Sequence, residues 1–169
     1  LWHPSRSRFN GNLKAMRARL LFPSLALVGL LSGCAGTVAL KPADAANDPA
    51  CAEVMVRLPD TVAGLDRRST NAQSTAAWGS PAAVILRCGL PDTGPSALPC
   101  FTVDDVDWLR DDASDPNFTF FTYGRNPVIE VLIDSTAVSG TTTLSDLSNA
   151  VGTLKPLRVC TDATDVLGN

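Results

Sequence analysis

The pattern of apolar and polar positions divides the chain into a long irregular start and a strand-rich remainder. From Cys51, Ala52, Val54, Val56 and Leu58 alternate with Glu53, Met55 and Arg57 as far as Pro59, the period-2 signature of a strand. Residues 63–77 are rich in Gly, Ser and Thr and read as a weakly structured connection. Residues 82–88 (AAVILRC) are apolar enough for a central strand, and residues 101–103 form a short one. Residues 118–123 and 128–133 then predict a hairpin closed through Gly124-Arg125-Asn126-Pro127. Leu144, Leu147, Ala150, Val151 and Leu154 recur at helical spacing, with Thr143 as the expected N-cap and Asp146 in the first turn. Gly152 weakens the end of this helix and Pro156 stops it, leaving residues 157–160 for a closing strand. Strands in series followed by one amphipathic helix imply an α+β fold: a small antiparallel sheet with one C-terminal helix packed on a face.

Residues 20–31 (LLFPSLALVGLL) are apolar but number 12, short of the roughly 20 a membrane-spanning helix needs. Arg17 and Arg19 precede them and Leu31-Ser32-Gly33-Cys34 follows, so the segment reads as a signal peptide. The tetrad looks like the lipobox of bacterial lipoproteins, where cleavage precedes the cysteine and its thiol takes a diacylglycerol bearing chains such as palmitate. Met16 opens a signal of usual length, which makes residues 1–15 an over-extended start. The expected organisation is a signal peptide over 1–33, a lipidated Cys34 with a tether to residue 50, and a single α+β domain over 51–169. The expected location is the outer face of the cell membrane. A flexible tether of that length reaches about 20–25 Å.

Charge changes the picture once the signal is set aside. The whole chain of 169 residues has a formal charge of −3, but five of its 14 basic residues precede residue 20 and all 17 acidic ones follow residue 40. The part after residue 33 therefore carries nine basic against 17 acidic groups, net −8. Such a balance argues against nucleic-acid binding, which needs a basic face. The single histidine, His3, falls in the discarded start, so the exported part has no imidazole for Ser-His-Asp or Cys-His catalysis or for a zinc site. With Cys34 lipidated, Cys51, Cys88, Cys100 and Cys160 remain for two disulfides. Three pairings are open. Cys88 with Cys100 would close a short turn-rich loop, and Cys51 with Cys160 would then join the ends of the domain. No C-x-x-C spacing favours a metal or redox use of these thiols.

Few residues point to chemistry. Asp104, Asp105, Asp107, Asp111, Asp112 and Asp115 crowd twelve positions, but the spacing lacks the third ligand and turn glycine of an EF-hand loop, so the reading is a solvated acidic loop with no metal. Trp78 and Trp108 suit core packing or a ligand-stacking surface. Arg87, inside an apolar strand, and Arg125, at the hairpin turn, require a carboxylate partner such as Asp107 or Glu130, or else hold an anion. No nucleophile elbow, phosphate loop or carboxylate pair is present in the pattern, and no catalytic residue or cofactor is assigned.

Leu58-Pro59, Ala76-Ala77-Trp78-Gly79-Ser80-Pro81, Leu86-Arg87-Cys88-Gly89, Val106-Asp107-Trp108 and Thr122-Tyr123-Gly124-Arg125-Asn126-Pro127 together resemble the actinobacterial secreted and lipoprotein family classed as domain of unknown function 3515. The resemblance spans about residues 51–155 and implies an envelope protein with no established activity, cofactor or catalytic residue. The reading that follows is a lipid-anchored, non-enzymatic envelope module. It would bind a partner protein or wall component through Trp78, Arg87, Trp108 and Arg125. The alternatives are an accessory factor or enzyme of peptidoglycan metabolism, with Asp107 as acid or base and Arg125 holding a substrate carboxylate, and a purely structural lipoprotein.

Overall fold

Asp48 and Pro49 decide the first element. In the computed structural model, which describes residues 36–92 and 94–161, the Asp48 carboxylate accepts from the Ala50 backbone N–H at 2.8 Å and caps a helix, α1 (Pro49–Met55). The strand expected from residue 51 is therefore a helix. Its alternation is equally a helical stripe, with Cys51, Val54 and Leu58 buried and Val56 left 77% exposed; over so short a run the two periods overlap and the cap breaks the tie.

The strands are β1 (Thr61–Val62), β2 (Leu65–Arg68), β3 (Thr75–Trp78), β4 (Val84–Leu90), β5 (Cys100–Val103), β6 (Val106–Ser114), β7 (Asn117–Thr122) and β8 (Val128–Asp134), followed by α2 (Gly140–Val151). They form one sheet of order β1-β2-β3-β4-β8-β7-β6-β5, every neighbouring pair antiparallel. Two meanders of four strands are thus joined by β4 and β8. The predicted hairpin is present, with Phe118 opposite Ile133 and Phe120 opposite Val131.

Two stretches assigned to loops are strands. Residues 63–77 contain β2 and most of β3, and Ala63 and Gly64, both at positive φ, turn β1 into β2 as a two-residue hairpin of the primed type requires. The acidic run is likewise a hairpin. Asp104 and Asp105 take positive φ between β5 and β6, which aspartate tolerates because its short side chain can bond locally, and the remaining carboxylates are spread along β6 and its following turn.

One face of the sheet makes the core. Ala76, Leu86, Val131 and Phe120 form one cross-strand row, Trp78, Val84 and Ile133 the next, and Val54 of α1 with Leu144, Leu147 and Val151 of α2 pack in the same cluster. The fold is α+β in two layers, with α1 an addition to the single helix expected. α2 begins a turn earlier than the periodicity suggests, with Ser139 rather than Thr143 as N-cap. Asp146 instead accepts from the Ala63 N–H at 2.7 Å, tying α2 to the β1–β2 turn.

The disulfides join Cys51 to Cys88 and Cys100 to Cys160, bridging 37 and 60 residues, so the short-loop pairing is not the one formed. Each follows from packing: α1 lies against the end of β4, and the C-terminal segment crosses β5 and β6. That segment, residues 157–160, is no strand. It is held by Leu157 N–H donating to Gly124 O at 2.6 Å, and a Cβ on Gly124 would collide with the Arg158 backbone.

The supposed tether is also part of the fold from residue 36. Val38 bridges to Thr70, Leu40 N–H donates to Asn71 Oδ1 at 2.7 Å, and Ala45 N–H donates to Gly89 O at 3.0 Å. Ser74 Oγ–H donates to the carbonyl of the buried Ala46. These backbone groups find partners on the β2–β3 connection and on β4, which a free coil would have left to water. The signal segment, His3 and Cys34 lie outside the described residues.

Candidate functional site

The alternation that aims Leu86 and Trp78 into the core aims their strand neighbours outward. Thr75, Arg87, Glu130, Phe121, Leu109 and Cys100 therefore form one row across the outer face, each opposite the next. Its middle is charged and its far end apolar.

In the middle, Arg87 Nε donates to Glu130 Oε2 at 2.5 Å, and both side chains remain partly exposed. The Glu130 hydrogen bond and charge hold the Arg87 guanidinium above its ordinary value. Ile85 and Leu132 flank the pair, with Leu40 and Lys41 beside it, around a shallow hollow of about 560 Å³.

At the far end, residues on the β4–β5 connection fold over Leu109 and Phe121. Leu90, Leu98, Leu109, Phe121, Tyr123 and Val128 are the apolar lining of a hollow of about 210 Å³. A clamp stands over it. Arg158 donates to both carboxylate oxygens of Asp92 at 2.5 Å, and its guanidinium lies 5.7 Å from the Tyr123 ring centroid. The Gly94 backbone N–H, and secondarily Arg158, hold the Asp92 carboxyl below its usual range. Nothing in the pattern of residues 89–99 marks them as a cover, because that role depends on what lies beneath.

The residues singled out by type are dispersed. Trp78 is fully buried with Nε1–H donating to Pro59 O at 3.2 Å, and Trp108 is fully buried in the same core. They therefore form no stacking surface, since their rings fill the space between sheet and helices. Arg125 is also buried. Its guanidinium donates to Leu154 O and, at 2.9 Å, to Asp105 O, holding the end of α2 to the β5–β6 turn. Burial pulls it below its ordinary value, opposed by the nearby Asp107 carboxylate. Asp107 accepts from Thr102 Oγ1 at 2.6 Å and from the Cys160 N–H at 2.8 Å. Asp107 and Arg125 do lie near one another, but Arg125 Nη1 and Nη2 and Asp107 Oδ2 brace the backbone, Asp107 Oδ1 is taken by Thr102, and the two outer hollows are lined by other residues. Of the binding candidates, Arg87 alone stands on an open face.

The architecture and its outer face define a small, disulfide-stapled α+β domain with one sheet face covered by helices and the other covered only in part, by the β4–β5 connection and the segment that begins at residue 36. The chain belongs to the family described as protein of unknown function (DUF3515), whose model matches residues 32–158. Neither a curated protein nor a solved structure matches it.

Proposed function

We propose that the chain is a lipid-anchored, extracytoplasmic envelope module that acts by binding, receiving a compact apolar group in the hollow beneath the Arg158–Asp92 clamp. The observation that carries the binding reading is that hollow: about 210 Å³, mostly apolar in its lining, with its floor on β4, β6, β7 and β8 and its cover on the β4–β5 connection. A dry apolar cavity of about 150 Å³ is enough to take benzene, so the occupant is a single ring or short branched alkyl group. Anchoring is supported by the Leu31-Ser32-Gly33-Cys34 tetrad, and export by two disulfides in so small a domain. Among the described residues no helix is long and apolar enough to cross a membrane.

Toluene is a suitable probe. Titrated into the folded chain, it is expected to shift the amide and methyl resonances of Leu109, Phe121 and Val128. Val128→Trp, which fills the hollow, is expected to abolish those shifts while the rest of the spectrum is kept. Shifts spread over the whole surface, or unchanged by Val128→Trp, would refute the site. Intact mass of chain extracted from host membranes tests the anchor, expected as diacylglycerol on an N-terminal Cys34.

A further inference from the structure

Resting on the anchoring reading above, we infer that the acylated domain stands directly on its leaflet, with the end of the sheet that bears Gly36, Arg68, Gly79 and Ser80 against the phospholipid headgroups. Covalent reach sets this contact. Arg68 Nη2 donates to Gly36 O at 2.6 Å, and its Nη1 donates to Gly79 O at 2.7 Å, so Gly36 is fixed at the end of β3 where β4 begins. From Gly36 onward the chain is bound to the β2–β3 connection by the contacts of Val38 and Leu40, and to β4 by that of Ala45. One residue, Ala35, separates Gly36 from Cys34. Two peptide units span at most about 7 Å, comparable with the roughly 5–7 Å depth of a headgroup layer.

Little slack therefore remains beyond the Cys34 thioether and its glycerol for the domain to lift away, and the leaflet is the occupant of this end of the fold. Charge does not set the contact, because Arg67 and Arg68 are accompanied by Asp66 on β2 and by Asp60 just before β1. The apolar hollow lies at the other end of β4, beside Leu90, and seven residues of strand carry it about 20 Å from the anchored end. The anchor thus presents the hollow to the envelope space instead of to the lipid.

The test uses the full chain matured in a host, its lipid verified by intact mass, in phosphatidylcholine vesicles carrying nitroxide headgroups. A fluorophore is placed through a non-natural side chain at Ser80 or at Ser96, both exposed. Quenching is expected to be at least roughly threefold stronger at position 80, since the labels differ by about the length of β4, some 20 Å. The ratio is expected to persist with phosphatidylglycerol added. A flexible insert of about 20 residues between Ala35 and Gly36, reaching about 25 Å, is expected to erase it. Equal quenching at the two positions of the acylated chain overturns this inference and leaves the anchor standing, as does a ratio that survives the insert. A ratio present only with phosphatidylglycerol overturns the reach argument in favour of charge. A mass without lipid on Cys34 overturns both inference and anchor.

Discussion

Replacing Arg125 with Leu separates a brace from a binding residue. The guanidinium is buried and is the donor to Leu154 O and Asp105 O, two carbonyls on elements far apart in sequence. Its loss leaves those acceptors unpaired and removes the positive charge near Asp107. An unsatisfied buried acceptor costs about 1–3 kcal/mol, and breaking a buried charge arrangement from one side costs about 3–5 kcal/mol. About 3 kcal/mol is therefore expected for Arg125→Leu. Arg125→Lys recovers little, because a single ammonium on a different stem does not reproduce the planar fork reaching both carbonyls. Arg87→Leu is the internal comparison: its pair with Glu130 is partly exposed, and about 1 kcal/mol or less is expected. Urea unfolding followed by tryptophan fluorescence reads the difference, since Trp78 and Trp108 are both buried. With slopes of about 1–3 kcal/mol/M for small domains, the midpoint should fall by about 1–3 M for Arg125→Leu. A loss below about 1 kcal/mol, similar to that of Arg87→Leu, would refute the bracing role and return Arg125 to the candidate ligands.

The two disulfides should differ in access. Cys51 and Cys88 are fully buried whereas Cys100 is exposed, so mild reductant with alkylation is expected to label Cys100 and Cys160 first; simultaneous labelling of all four would contradict this. Loop-entropy arithmetic for 37 and 60 bridged residues gives upper figures of about 3.8 and 4.3 kcal/mol, measurable with the corresponding Cys→Ser pairs. The Asp92 clamp makes a small pH-dependent contribution. Its carboxyl titrates below the ordinary value, so the contribution is complete above that value and fades as pH falls through the lower one, over the range beneath about pH 4. Carboxyl carbon NMR is expected to show Asp92 titrating low and rising only part of the way in Arg158→Gln, because the Gly94 N–H remains; no rise, or full recovery of the ordinary value, would misassign the causes.

Local signals account for much of the fold. β4 and the β7–β8 hairpin are apolar runs bounded by turn residues, and α2 shows its face through Leu144, Leu147 and Val151, so neighbours in sequence suffice to read them. β3 escapes the same reading. Thr75-Ala76-Ala77-Trp78 is small and mixed in polarity, and it is a buried strand because β2 and β4 flank it. α1 is misread because seven residues support either period until the cap is considered.

The candidate site was less legible. Residue type pointed to Trp78, Trp108, Asp107 and Arg125, groups as valuable inside a fold as on its surface, and burial is a property of the whole chain. The hollow is assembled from Leu90, Leu98, Leu109, Phe121, Tyr123 and Val128, ordinary apolar residues drawn from several separate segments. What sequence alone determined was the α+β class, the supply of four cysteines for two bridges, the absence of histidine after residue 3 and the acidic balance, because these depend on composition and short-range periodicity. Which cysteines pair, which charges are sealed, and how the 36–48 segment joins the sheet were decided by tertiary structure. Each is a matter of distance between residues remote in the chain, and that distance exists only once the sheet has closed and the helices have packed on it.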